Sequence, residues 1–204
     1  MNKRTQHTTE NIKNALIKLL ATKPYANISV SDITDFAEIN RTTFYTHFTD
    51  KDDLLLFIEQ NLVEDYSAAL DADYAKIPAE PTIAMAYIHN AAVFEKTILF
   101  LASKRDTLLA LFSSHGDYRL RPRLGRIFKN RFIAELANHN AKLSGRVPDD
   151  YAINGLVSHI TNMFIFWLYR EDPEDPKVLV KIISESCTLS PLQNLSFDEP
   201  YQLL

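Results

Sequence analysis

The stretch 29–55, SVSDITDFAEINRTTFYTHFTDKDDLL, constrains this chain more than any other, because it holds two helix starts with room for only a tight turn between the helices. Ser29 is a preferred N-cap, and Asp32, three residues on, faces the exposed N–H groups in a carboxylate version of the capping box. Ile33, Phe36 and Ala37 then fall on one face. Asn40 opens a second helix, from which Arg41, Thr42, Thr43, Tyr45 and His47 point outward. Threonine is a modest helix former, and two in succession between Arg and Tyr make little sense as a merely solvated face. They suit a helix entering the DNA major groove, where Arg reaches guanine, Thr methyls meet thymine methyls and hydroxyls bond phosphates. The pattern is a helix-turn-helix, with Arg41, Thr42 and Thr43 as the candidates for base contact.

The string A-x-I-N-R-T-T-F-Y-x-H-F-x-D-K-x-D-L-L resembles the N-terminal domain of the TetR family of transcriptional regulators over roughly residues 8–55. The family's F/L-Y-x-H-F-x-x-K-x-x-L core is present as Phe44, Tyr45, His47, Phe48, Lys51 and Leu54. One departure is Glu38, where the family usually has a turn glycine, so strain or another backbone geometry is expected there. The resemblance implies phosphate contact for Tyr45, His47 and Lys51, against simple exposure of each. For Lys51 the N-terminus of a helix capped by Asp50 adds its own preference for an anion. Phe44 and Phe48, four apart, share a face and are expected to pack on the first helix. In the family that first helix buttresses the reading pair, and the last two helices form a dimer.

Only four Gly and nine Pro, against 46% hydrophobic residues, favour long helices, and β-type alternation is hard to find in the 204 residues. The expected fold class is therefore all-α. It comprises an N-terminal three-helix helix-turn-helix domain (1–52), a C-terminal helical ligand-binding and dimerisation bundle (53–190) and an irregular tail (191–204). The lone Cys187 makes no internal disulfide, and no N-terminal apolar run looks like a signal peptide, so a cytoplasmic protein is expected. No window reaches 18 apolar residues free of charge, which argues against a membrane partner. The net charge of -4 divides unevenly, +2 over residues 1–51 and -6 over the remainder, so repulsion would keep the body away from DNA while the head approaches.

In chain order, residues 1–8 read as a mobile arm, and Thr8 or Thr9 as the cap of a first helix whose core stripe is Ile12, Ala15, Leu16, Leu19 and Leu20. A helix from Asp53 to about Tyr74 carries Leu54, Leu55, Ile58, Leu62, Tyr66 and Leu70 near one stripe and ends before the proline loop KIPAEP. Residues 82–103 are apolar on nearly all faces. His89 within them is either a satisfied core histidine or, with Tyr87 and Phe94, part of an effector pocket. Arg119 to Arg131 form a basic run that is either solvated or meets an anionic effector or acidic partner, with Leu124, Ile127, Phe128, Phe132, Ile133 and Leu136 as the packing stripe. Asp149 or Asp150 is expected to cap a helix to Tyr169, and a last helix covers 175–187. Gly155, Ile160, Phe164, Trp167 and Ile182 on these two are candidates for a dimer interface, with internal core as the alternative.

No catalytic residues, metal or cofactor are expected. Ser114, His115 and Asp117 are triad residue types, but such groups converge from separated positions, and H-E-x-x-H, a Gly-rich phosphate loop and paired Cys are absent from the sequence. The expected function is a homodimeric DNA-binding transcriptional regulator, a repressor in the first instance. Its partners would be a pseudo-palindromic double-stranded operator, a second copy and a small-molecule effector. The alternatives are an activator or coregulator acting through a protein partner, or a helical small-molecule-binding protein that never touches DNA.

Overall fold

The computed structural model describes residues 3–77, 94–114, 116, 119–138 and 146–188. Among these every regular element is a helix. In chain order they are α1 (Lys3–Leu20), a 3-10 turn (Tyr25–Asn27), α2 (Val30–Phe36), α3 (Arg41–Tyr45), α4 (Lys51–Tyr74), α5 (Glu95–Ser103), α6 (Arg105–Phe112), α7 (Leu120–Asn138), α8 (Asp149–Leu168) and α9 (Pro176–Thr188). The chain forms two compact units, Met1–Ala68 with Ser103–Ile127, and Ala69–Ala102 with Phe128–Leu204. This grouping follows packing and differs from a cut at 52, since α4 and α7 each contribute residues to both units.

In the first unit α1 packs on α2 and on α6, and α2 on α3. Ile12, Ala15, Leu16 and Leu20 are buried as the stripe requires, joined by Ile17, while Leu19 is only half-buried. Ile28, Ile33, Phe44, Phe48, Leu54, Leu108 and Leu111 are among the other buried residues of this core. The N-terminal arm is not an arm from Lys3 onward, because α1 starts there and Thr8 and Thr9 lie inside it, so neither is its N-cap. Phe36 does not join Ile33 in the core: it is half-exposed, with the Lys18 ammonium 5.9 Å from its ring centroid.

The second unit is organised on a buried carboxylate. Asp73, fully buried near the end of α4, accepts from the Thr97 N–H (2.8 Å), the Thr97 hydroxyl (2.8 Å) and the Lys96 N–H (3.1 Å). These donors lie in the first turn of α5, where a helix leaves N–H groups without intrahelical partners. An acid from another helix thus caps α5, and Lys76 Nζ, 3.3 Å away, supplies the opposite charge. Beside it Tyr74, Phe94 and Phe128 form an edge-to-face aromatic cluster, with centroids 5.8 Å apart for the first pair and 5.0 Å for the second. Arg131 closes this cluster, its guanidinium 5.6 Å from the Tyr74 ring, Nε 2.9 Å from Asp71 and Nη1 3.4 Å from Glu135. One member of the basic run is therefore a packing residue. On α7 the buried stripe is Leu120, Leu124, Phe128 and Phe132, and Ile133, expected inside, is exposed.

α8 packs on α9. Pro148 takes the N-cap position of α8 without a side-chain bond, so Asp149 and Asp150 are not caps but first-turn acids that favour the helix start through its dipole. Val157, Ile160, Phe164, Trp167 and Leu168 are buried with Leu179, Val180 and Ile183 of α9. Trp167 Nε1 donates to the Glu174 carbonyl (2.8 Å), and His159 Nε2 lies 3.0 Å from the Ser186 hydroxyl, tying the pair together. Cys187 is half-buried, and burial pushes its thiol pKa up, against the reactive thiolate that a redox sensor needs.

Replacing Asp73 by Ala strips three donors at the start of α5 of their acceptor, and is expected to cost about 2 to 4 kcal/mol. Urea unfolding measures it. Stability within about 0.5 kcal/mol of the parent would show that the cap contributes little.

Candidate nucleic-acid interface

Each short helix of the head is started by a side chain close in sequence. The Ser29 hydroxyl accepts from the Asp32 N–H (3.1 Å), while the Asp32 carboxylate accepts from the Ser29 N–H (2.7 Å), so the capping box is complete. The Ser29 hydroxyl donates its own proton to the same carboxylate (2.7 Å), and this bond first, then that from the Ser29 N–H and the Lys23 ammonium (3.0 Å), hold the Asp32 carboxyl well below the usual carboxylate range. With its pKa depressed in the folded state, Asp32 lends stability above the ordinary carboxylate range, and that contribution is lost as pH falls through the lowered value. Asn40 Oδ1 accepts from the Thr43 N–H (2.7 Å) and the Thr43 hydroxyl (2.8 Å) at the start of α3. Asp50 Oδ1 accepts from the Asp53 N–H (2.8 Å) at the start of α4.

The turn between α2 and α3 resolves the departure at Glu38. Glu38 has φ 54, the left-handed conformation that favours glycine. Its N–H donates to Asp35 O (3.3 Å) and the Ile39 N–H donates to Thr34 O (3.0 Å), the paired bonds of a Schellman motif. The backbone is the ordinary glycine geometry with a glutamate in it, at a steric cost of roughly 1 to 2 kcal/mol.

α3 is shorter than the sequence suggests, ending at Tyr45 with Thr46 as C-cap. Phe44 is fully buried and Phe48 nearly so, with rings 6.0 Å apart, and Phe57 of α4 packs on Phe48 at 5.4 Å. The opposite side carries Arg41, Thr42 and Tyr45, all exposed. Thr43 is half-buried and its hydroxyl proton belongs to Asn40, so it presents a methyl group rather than a free donor. His47 is also half-buried, with Nδ1 3.1 Å from the Thr9 hydroxyl of α1.

Lys51 sits differently from a free cation. Its ammonium donates to Tyr25 O (3.0 Å) and Ile28 O (2.9 Å) and lies 4.5 Å from the Tyr25 ring centroid. The Tyr25 hydroxyl in turn donates to Asp52, and burial first, then this bond and the Asp52 charge, pushes the phenol pKa far above its ordinary value. Lys51, Tyr25 and Asp52 therefore clamp the segment before α2 to the start of α4. Sequence reasoning misses this clamp and the Thr9–His47 bond. Lys51 meets backbone carbonyls, which carry no residue signature, and Thr9 lies 38 positions from its partner.

Of the remaining candidates, Tyr87 and His89 lie outside the described residues, whereas Phe94 is buried in the aromatic cluster with Tyr74 and Phe128. Ile160, Phe164 and Trp167 are buried within the single chain, so the alternative of internal core describes them. Gly155 is exposed, with open space around it, and Ile182 is half-exposed.

A fully capped helix pair, buttressed by α1 and turning an Arg-Thr-Tyr face to solvent, defines the helix-turn-helix class. Residues 12–58 match the family of bacterial regulatory proteins, tetR family, and residues 89–188 match a transcriptional regulator C-terminal region. The transcriptional regulator EthR of Mycolicibacterium smegmatis is 38% identical over 64 residues, 31% of this chain and 30% of that protein. DhaS of Lactococcus lactis, a dhaKLM operon transcriptional activator, is 30% identical over 96 residues, 46% of this chain and 50% of that protein. The chain thus spans half or less of the length of these relatives. In fold it is similar to a TetR transcriptional regulator from Streptococcus agalactiae, with a TM-score of 0.57 at 21% identity over 91% of this chain and 96% of that one. The chain belongs to the TetR family.

Replacing Lys51 by Met keeps the aliphatic stem but leaves two carbonyls without their donor, and is expected to lower stability by about 1 to 3 kcal/mol before any DNA is added. Chemical denaturation of the free protein tests this. An unchanged midpoint would mean that the ammonium is held loosely and is available to a phosphate.

Proposed function

We propose that the protein is a DNA-binding transcriptional regulator that acts as a homodimer, each subunit placing α3 in the major groove of one half-site of a pseudo-palindromic operator. The observation that carries this is the exposed face of Arg41, Thr42 and Tyr45 on a helix whose other side is anchored by fully buried Phe44. A helix of five residues has no stability of its own, and its polar face is held rigidly at the surface of the head. Arg41 and Thr42 read base edges, and the Thr43 methyl adds an apolar contact. Tyr45 and His47 set the register on the phosphates. Lys51 contributes first by clamping the head, with one N–H remaining for a phosphate.

Dimerisation is assigned to the outer face of α8 and α9. Tyr151, Gly155, Asn162 and Phe166 recur at helical spacing on α8, with Tyr169 as its C-cap, and Tyr151 (71% exposed) and Phe166 (65%) are large for a solvated position. Val178 and Ile182 extend the surface on α9. A small-molecule effector in the C-terminal unit would control operator binding only through unequal affinity for two states of the dimer. No helix among the described residues is long and apolar enough to cross a membrane. Repression is the first reading of its sign, and activation is the second, favoured by the relative named as an activator.

Selection of bound sequences from a random duplex library is expected to enrich a palindrome. Arg41→Ala is expected to cost about 1 to 3 kcal/mol at one base pair and to relax the preference there. A uniform loss over all sequences would remove Arg41 from base readout. At the interface, Phe166→Glu is expected to give folded monomers in sedimentation experiments. Trp167→Ala is expected to cost roughly 3 to 5 kcal/mol of stability by opening the core. An intact Phe166→Glu dimer would move the interface elsewhere.

A further inference from the structure

The contact between Thr9 and His47 places a constraint on protons. Thr9 is buried within α1, and its hydroxyl donates to the Thr5 carbonyl at 3.0 Å. A hydroxyl has one proton, so with that proton on Thr5 O the oxygen meets His47 Nδ1, 3.1 Å away, as an acceptor. In that arrangement His47 carries its proton on Nδ1; the opposite one, with the hydroxyl turned onto Nδ1, would put the ring proton on Nε2. With the proton on Nδ1, the neutral ring leaves Nε2 as a lone pair, which repels a phosphate oxygen. Only the imidazolium has N–H groups on both nitrogens, one for Thr9 and one for DNA.

We propose that Thr9 is a positioning residue that fixes the proton of His47 on Nδ1, so that His47 donates to an operator phosphate only when protonated and DNA binding takes up a proton. The proposal rests on the DNA-binding reading above. Charged groups of α1 and of the start of α4 have partners of their own. On α1, Glu10 and Lys13 pair with each other at 2.9 Å. At the start of α4, Asp50 accepts from the Asp53 N–H, Asp53 accepts from the Thr49 N–H at 2.9 Å, and Lys51 is held by Tyr25 and Ile28. Tyr45, on its own helix, is exposed, and the ring lies 6.3 Å from that of Phe48. Among the described residues Thr9 is the hydrogen-bond partner of the imidazole. The bound state therefore asks for two donors on one ring, and a phosphate strengthens the charged form further.

The test uses the full chain and the duplex that emerges from the random-library selection. Affinity measured at constant salt is expected to fall by about tenfold or more between about pH 6 and about pH 8. His47→Gln, which offers a neutral donor at every pH, should flatten the profile. Thr9→Val removes the acceptor and frees the neutral ring to carry its proton on Nε2, so its affinity should persist at high pH, and Thr9→Ser should restore the slope. A merely structural role for Thr9 would instead weaken binding equally at all pH. Nitrogen-15 spectra of the free protein should show the neutral ring as the Nδ1–H tautomer. A neutral ring protonated on Nε2, a flat profile in the parent, or a slope that survives His47→Gln would each overturn the proposal. A protein that binds no duplex even at low pH would overturn the DNA-binding reading and the proton coupling with it.

Discussion

A helix of five residues cannot hold its own shape in water, and the head is built around that fact. The nucleation cost of α3 is offset by burial of Phe44, worth roughly 1.5 to 3 kcal/mol, by the Asn40 cap, and by anchors on both sides of it in sequence. Before it, the Schellman turn through Glu38 fixes the angle of entry from α2. After it, Phe48 packs on Phe57 of α4, and Lys51 fastens the same helix back to the segment that precedes α2. The exposed face of Arg41, Thr42 and Tyr45 gains a fixed direction from these contacts, and sequence readout needs that rigidity more than it needs a long helix.

The two units solve the same backbone problem by different means. In the head, orphan N–H groups at the starts of α2, α3 and α4 are satisfied by Ser29, Asn40 and Asp50, each within three residues of the donor. In the second unit the start of α5 is satisfied by Asp73, which is 24 positions from Thr97 and fully buried. A local cap survives small movements of neighbouring helices. A cap borrowed from another helix couples the position of α5 to that of α4, so displacing either one leaves a buried carboxylate uncompensated.

The Thr9–His47 contact joins buttress to reader in the same spirit. Thr9 has its proton on a carbonyl of its own helix and its oxygen against the imidazole that follows α3. In the proposed DNA contact of His47, the position of the ring proton is thus governed from α1.

The sequence by itself determined whatever depends on near neighbours along the chain. The all-α class, the helix-turn-helix, the three local caps of the head and the core stripe of α1 were all legible, because hydrophobic period and capping act within a few residues, whereas the sequence left open whether the turn at Glu38 is strained or takes another geometry. The tertiary structure alone decided what the side chains meet. Lys51 reads as a phosphate ligand in a motif string and turns out to hold two carbonyls. Thr9 reads as a cap and is a buried partner of His47, while Arg131 reads as part of a charged face and closes an aromatic cluster. Ile160, Phe164 and Trp167 carry the same apolar signal whether their partner is α9 or a second copy, and only packing separates the two. Residue type records what a group can bond. Which atoms lie within about 3 Å of it is fixed by how helices far apart in sequence come to rest on one another.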